Sequence, residues 1–116
     1  MTNWIWITTQ KELIHKYPNA PDDVSFLRND HRHIFHFKIW LEIFHDDRDI
    51  EFIMFKRFID NYLKDQGTVM NHKSCEMISD MIAEHIQLYY PGRESMIEVS
   101  EDNENGSLKE YHKQKL

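Results

Sequence analysis

His31-Arg-His-Ile-Phe-His-Phe-Lys-Ile-Trp-Leu-Glu-Ile43 is the stretch that decides the fold. His33, Phe35, Phe37, Ile39, Leu41 and Ile43 fall on one parity. His36, Lys38, Trp40 and Glu42 fall on the other. In an extended chain, successive side chains leave opposite faces, so this alternation predicts a strand with one apolar face turned to a core. The same parity puts His31 and His33, at the strand's start, on that face.

Upstream, Trp4–Thr9 is aromatic and β-branched and reads as a strand, with an irregular continuation toward His15. Both of its parities are apolar, so its inward face is left open. Lys16–Asp30 is rich in Pro, Asn and Asp and reads as a long loop, of the length that usually carries function in a small domain. Downstream, the polar turn His45–Asp49 ends the decisive strand. The period then changes. Over Glu51–Lys64, Phe52, Phe55, Ile59 and Tyr62 or Leu63 recur at helical spacing. Asp65–Lys73 is a connector containing Gly67. A second helix is expected over Ser74–Tyr90, with Met77, Ile78, Met81, Ile82, His85, Ile86 and Tyr89 as its stripe. Ser74 suits its N-cap, Glu76 its positive dipole end, and Pro91-Gly92 its stop. Ser95–Glu101 and Leu108–Tyr111 read as strands around the turn Asp102–Gly106, and the terminal HKQKL is expected to fray. The predicted order is β-β-α-α-β-β in one α+β domain spanning residues 1–116.

The composition agrees with such a domain. Hydrophobic residues make up 41% of the 116, which is too many for global disorder. The net charge is −6, with the acidic residues densest from Glu94 to Glu110 and no Lys/Arg stripe, so a nucleic-acid groove is not expected. One cysteine, Cys75, excludes an internal disulfide, and its expected state is buried and inert. With no signal-peptide pattern and no apolar run of membrane-spanning length, the expectation is a cytoplasmic protein without membrane contact.

Eight histidines are many for this length. If the first two strands pair antiparallel, His15 approaches His31 and His33. Three imidazoles on a rigid sheet match a three-ligand zinc site with its fourth position open. An isolated His-x-His pair is a weak signal, since histidines near a turn have the same spacing. His36 has the wrong parity to join the pair, His45 lies in a turn, and His85 lies on a helix's apolar stripe. His72, in the connector, could reach an active site.

These residues carry a family resemblance. The segment from His15-Lys-Tyr-Pro to Leu27-Arg-Asn-Asp-His31-Arg-His33 resembles the 6-pyruvoyl-tetrahydropterin synthase and 6-carboxytetrahydropterin synthase family, whose members carry a His, a loop, then Cys-x3-His-Gly-His running into a strand. EFIMFKRFI looks like the family's Asp-Phe-x2-Leu-Lys helix start. SCEMISDMIAEHI looks like its Pro-Thr-Ser-Glu helix, with Glu76 on the Glu. IEVSED looks like its V-x-V-x-Glu-Thr strand, with Glu101 on the Glu. The likeness implies the tunnelling fold, a four-stranded antiparallel sheet with two helices on one face, assembled as a homo-oligomer, usually a hexamer, with sites between subunits. It implies Zn²⁺ on His15, His31 and His33, with Glu101 and Glu76 toward a pterin. The implied reaction is triphosphate elimination, a lyase step, on 7,8-dihydroneopterin triphosphate or a related pterin of queuosine or biopterin synthesis.

Three positions depart from the pattern. Leu27 stands where the family has its catalytic Cys, and Gln66 stands where it has a proton-transferring His, beside Asp65. Arg32 replaces the Gly between the two zinc histidines. Losing a general base removes a contribution of roughly 10²–10⁴-fold. Asp65 and His72 are the candidates left for proton transfer. The alternative is a non-catalytic module that keeps zinc and a pterin- or purine-shaped pocket.

Overall fold

The computed structural model describes residues 1–113. Most of the terminal HKQKL, for which fraying is expected, lies outside the described residues. The elements are β1 (Asn3–His15), β2 (His31–Ile43), α1 (Phe52–Asp65), β3 (Val69–Asn71), α2 (Cys75–Tyr89), β4 (Ser95–Glu101) and β5 (Asn105–Tyr111), with a 3₁₀ segment over Asp22–Arg28 between the first two strands. They make an α+β fold on a five-stranded mixed sheet of order β3-β1-β2-β4-β5.

The long strands β1, β2, β4 and β5 are antiparallel neighbours. The expected four-strand sheet gains one strand. Val69–Asn71, in the stretch read as a connector, pairs parallel to the end of β1. Three residues are too few to show a period, so neighbouring backbone rather than pattern makes this strand. Ile14 N–H donates to the Thr68 carbonyl at 2.9 Å and Lys16 N–H to the Asn71 carbonyl at 2.8 Å.

β1 runs unbroken through His15. Its open question of facing is answered by pairing, since Ile7 lies opposite Ile39 and Thr9 opposite Phe37. The odd-numbered residues of β1, β2 and β4 therefore share one face. Ile7, Leu13, Phe35, Phe37, Ile39, Leu41, Ile97 and Val99 are buried there. α1 covers this face over β1, and α2 covers it over β4 and β5. Phe55, Ile59 and Leu63 of α1 and Ile78, Ile82 and Ile86 of α2 reach the core, whereas Phe52, Met77 and Tyr89 on the stripe's margins stay exposed. The polar Lys11 points to the same side because it caps a helix end. Its ammonium donates to the carbonyls of Leu63 and Gly67, neutralising the negative pole of α1.

Both helices start as their sequences dictate. The Glu51 carboxylate accepts from Met54 N–H at 2.8 Å, and Ser74 Oγ accepts from Met77 N–H at 3.2 Å. Among the described residues, no helix is long and apolar enough to cross a membrane. Among the described residues, no helix covers the opposite face of the sheet. Trp6 is exposed there, and the Lys38 ammonium lies 4.6 Å from its ring centre and 4.9 Å from that of Trp40.

Candidate metal centre

The site lies at one end of the sheet, on the helix side. Antiparallel pairing sets His15 directly opposite His31 and Leu13 opposite His33. Odd parity turns all three histidines to the same face. One ring nitrogen from each lies within 4.8 Å of the others. The expected triad is thus brought together by the β1–β2 register.

Each ring is also oriented from behind. His15 Nδ1 lies 2.9 Å from the Lys73 carbonyl, and His31 Nδ1 lies 2.9 Å from the Asn29 carbonyl. His33 Nδ1 lies 2.6 Å from Asp102 Oδ2. A carbonyl or carboxylate oxygen can only accept, so all three Nδ1 atoms carry the hydrogen. In the neutral form of each ring the Nε2 atom is then left with a bare lone pair. The Nε2 atoms of His15 and His33 are buried with no hydrogen-bond partner. Orphaned nitrogen lone pairs in a buried position cost about 1–3 kcal/mol each. A cation placed among them relieves that cost, and the outward Nδ1 hydrogen bonds are the arrangement that orients histidines bound to a metal. The donor set therefore fits a divalent metal with a preference for imidazole, as Zn²⁺ has.

Three supports of the triad were not evident in the sequence as functional. Asp102 reads there only as the first residue of a turn. In the structure it takes a left-handed backbone with φ 54°, and its other carboxylate oxygen accepts from Ile34 N–H at 2.9 Å. The hydrogen bond from His33 holds the Asp102 carboxyl below its usual value. The aspartate position in Glu-Asp-Asn at a strand end was the available signal, but nothing local ties it to His33, 69 residues earlier. The Lys73 and Asn29 supports are backbone carbonyls, which no side-chain pattern encodes. β3 is what carries Lys73 to His15.

A cavity of about 580 Å³ opens beside the triad. Its lining includes His15, His31, Leu27, His72, Cys75 and Glu101. Glu76 also lines it, in the exposed first turn of α2. Tyr17 N–H donates to the Leu27 carbonyl at 2.7 Å, which brings the end of the 3₁₀ segment back to Tyr17 in the cavity lining. Of the two proton-transfer candidates, His72 lines the cavity and Asp65 does not. Asp65 ends α1, where its charge acts on His85. The Cys75 thiol is pushed up to about 12, first by burial and then by the charges of Glu101 and Glu76, so it stays protonated near neutrality.

The remaining histidines sit apart. His36 lies on the other sheet face. His85 stacks on Tyr62 and Phe58, with ring centres 4.0 and 4.7 Å away, and burial lowers its pKa. Arg32, between His31 and His33, points away from the centre and pairs with Glu12 at 2.9 Å.

Compared with protein-family models, the sequence matches none, and no curated protein matches it either.

Proposed function

We propose that the protein is a zinc-dependent protein of the 6-pyruvoyl-tetrahydropterin synthase type, built on the tunnelling fold and acting on a pterin in the cavity beside the centre. The observation that carries this reading is the triad itself: three histidine nitrogens within 4.8 Å, each ring held by an acceptor on its Nδ1. The four long antiparallel strands with both helices on one face support the fold assignment, with β3 as an addition at the edge. The uncovered sheet face and the open edge of β5 are the surfaces a ring of subunits would use.

When bound, Zn²⁺ supplies Lewis acidity toward a hydroxyl or carbonyl oxygen of the ligand's side chain. His15, His31 and His33 would hold it. Glu101 and Glu76 offer carboxylates to the N–H edge of a pterin. His72 is the exposed imidazole in the cavity lining and the candidate there for taking or returning a proton.

A specific observation favours the second reading, a binding module without turnover. The cavity presents Leu27 and a protonated Cys75 thiol where a base is wanted. Metal analysis of the purified protein comes first, with His31→Ala as control. About one zinc per chain, lost in the variant, is expected; no metal uptake by either protein refutes both readings. Incubation with 7,8-dihydroneopterin triphosphate then separates them. Triphosphate release makes the protein a lyase, and stoichiometric binding without release makes it a module.

A further inference from the structure

Glu101 ends β4 opposite Phe35, two residues along β2 from His33 and on the same face. Its carboxylate reaches into the triad. Oε1 lies 3.1 Å from His15 Nε2, and Oε2 lies 3.3 Å from His33 Nε2. Neither approach has hydrogen-bonding geometry, and both nitrogens remain without a hydrogen-bond partner. The His15 side chain is only 8% exposed, so water does not resolve the contact. With each Nδ1 hydrogen already given to an oxygen, two nitrogen lone pairs face two carboxylate oxygens at close range. With the rings neutral such an arrangement is repulsive, and a cation between the atoms relieves it.

The spacing identifies that cation's coordination. In a tetrahedral site with zinc bonds of about 2.0–2.2 Å, neighbouring ligand atoms are ~3.3 Å apart. The two Glu101 contacts, one from each carboxylate oxygen, are close to that length, whereas the three histidine nitrogens are spread over as much as 4.8 Å, so binding must draw the histidines together and one Glu101 oxygen in among them.

We infer that Glu101 is a fourth protein ligand of the metal, making the centre a closed site of three histidines and one carboxylate while the cavity is empty. This rests on the metal reading above and deepens it. A carboxylate bound to the metal is not free to grip a ligand's N–H edge. Entry of a ligand onto the metal therefore requires Glu101 to leave it, and the carboxylate acts as the gate between a closed and an open centre.

The test uses Co²⁺ and Zn²⁺ on the full chain, with azide as an exogenous probe of open coordination. Wild type, Glu101→Gln and Glu101→Asp are compared, each first shown to be folded by circular dichroism in chelator. The visible spectrum of the wild-type Co²⁺ protein is expected not to change with azide. Glu101→Gln is expected to bind Zn²⁺ more than about 100-fold less tightly, beyond the usual loss for an outer partner, and its Co²⁺ spectrum to respond to azide. Glu101→Asp, with a shorter reach, shifts both readouts in the same direction and serves if the glutamine variant does not fold. Azide binding to wild type, or Zn²⁺ affinity in the variants within about threefold of wild type, overturns the inference. If metal uptake is lost in His31→Ala under either of those results, the triad stands and only the role of Glu101 falls. No uptake by wild type removes the centre itself.

Discussion

Replacing Asp102 with asparagine tests whether tautomer control builds the centre. Asp102 makes two contacts in opposite directions: Oδ2 accepts from His33 Nδ1 at 2.6 Å and Oδ1 accepts from Ile34 N–H at 2.9 Å. Asparagine has nearly the same shape but offers one oxygen and one NH₂ group. If its oxygen keeps the Ile34 bond, the NH₂ group faces His33 Nδ1–H, donor against donor. The imidazole escapes by moving its hydrogen to Nε2, which blocks the lone pair meant for the metal. If the amide is flipped, the conflict falls on Ile34 N–H instead. Either way the loss is one hydrogen bond to a charged group, about 1.5–3 kcal/mol before relaxation. For the metal, losing the carboxylate behind a ligating histidine costs roughly 10–100-fold in affinity, equal to about 1.4–2.7 kcal/mol. The assay is competition for Zn²⁺ against a chromophoric chelator, alongside ¹⁵N-detected imidazole NMR of the metal-free protein. Wild type should show His33 with its hydrogen on Nδ1; the variant should show it moved and the affinity reduced. A folded Asp102→Asn protein that binds Zn²⁺ as tightly as wild type would refute the argument that Asp102 sets the tautomer.

Two further predictions concern titrating groups. The Cys75 thiol, pushed up to about 12, should be unreactive toward iodoacetamide at neutral pH and become reactive in urea, where its pKa returns to about 8.5; fast alkylation of the native protein contradicts its burial. Because the folded pKa is the higher one, the neutral thiol favours folding fully below pH ~8.5, and that advantage is lost as pH rises toward 12. Asp49 is the opposite case. Its hydrogen bond from Arg93, at 2.8 Å, holds the carboxyl at about 2, so its stabilisation is complete above the ordinary value and is lost as pH falls from about 4 to 2. Asp49→Asn should therefore lose stability at neutral pH and show a flatter acid limb in urea titrations between those pH values; an unchanged slope would mean that the Arg93 pair does not couple to folding.

Local physics made much of this protein legible. The alternation through Phe35, Phe37, Ile39 and Leu41 fixed a half-buried strand because side-chain direction alternates at every residue. The spacing of Phe55, Ile59 and Leu63, and of Ile78, Ile82 and Ile86, fixed two helices because one face recurs every 3.6 residues. Parity alone put His31 and His33 on one face. What lay beyond local reach depended on pairing. The facing of β1 was undecided because Trp4 and Trp6 rival Ile5 and Ile7, and only pairing with β2, which sets Ile7 opposite the buried Ile39, settled it. β3 was invisible because three residues carry no period, yet it delivers the Lys73 carbonyl to His15. Asp102 and Glu101 meet histidines far away in the chain because β2 lies between β1 and β4 in the sheet. The sequence by itself determined which elements form and which residue types could bind a metal, since both follow from short-range periodicity and side-chain chemistry. Only the tertiary structure decided which lone pairs converge, because that depends on strand register and on hydrogen bonds across tens of residues.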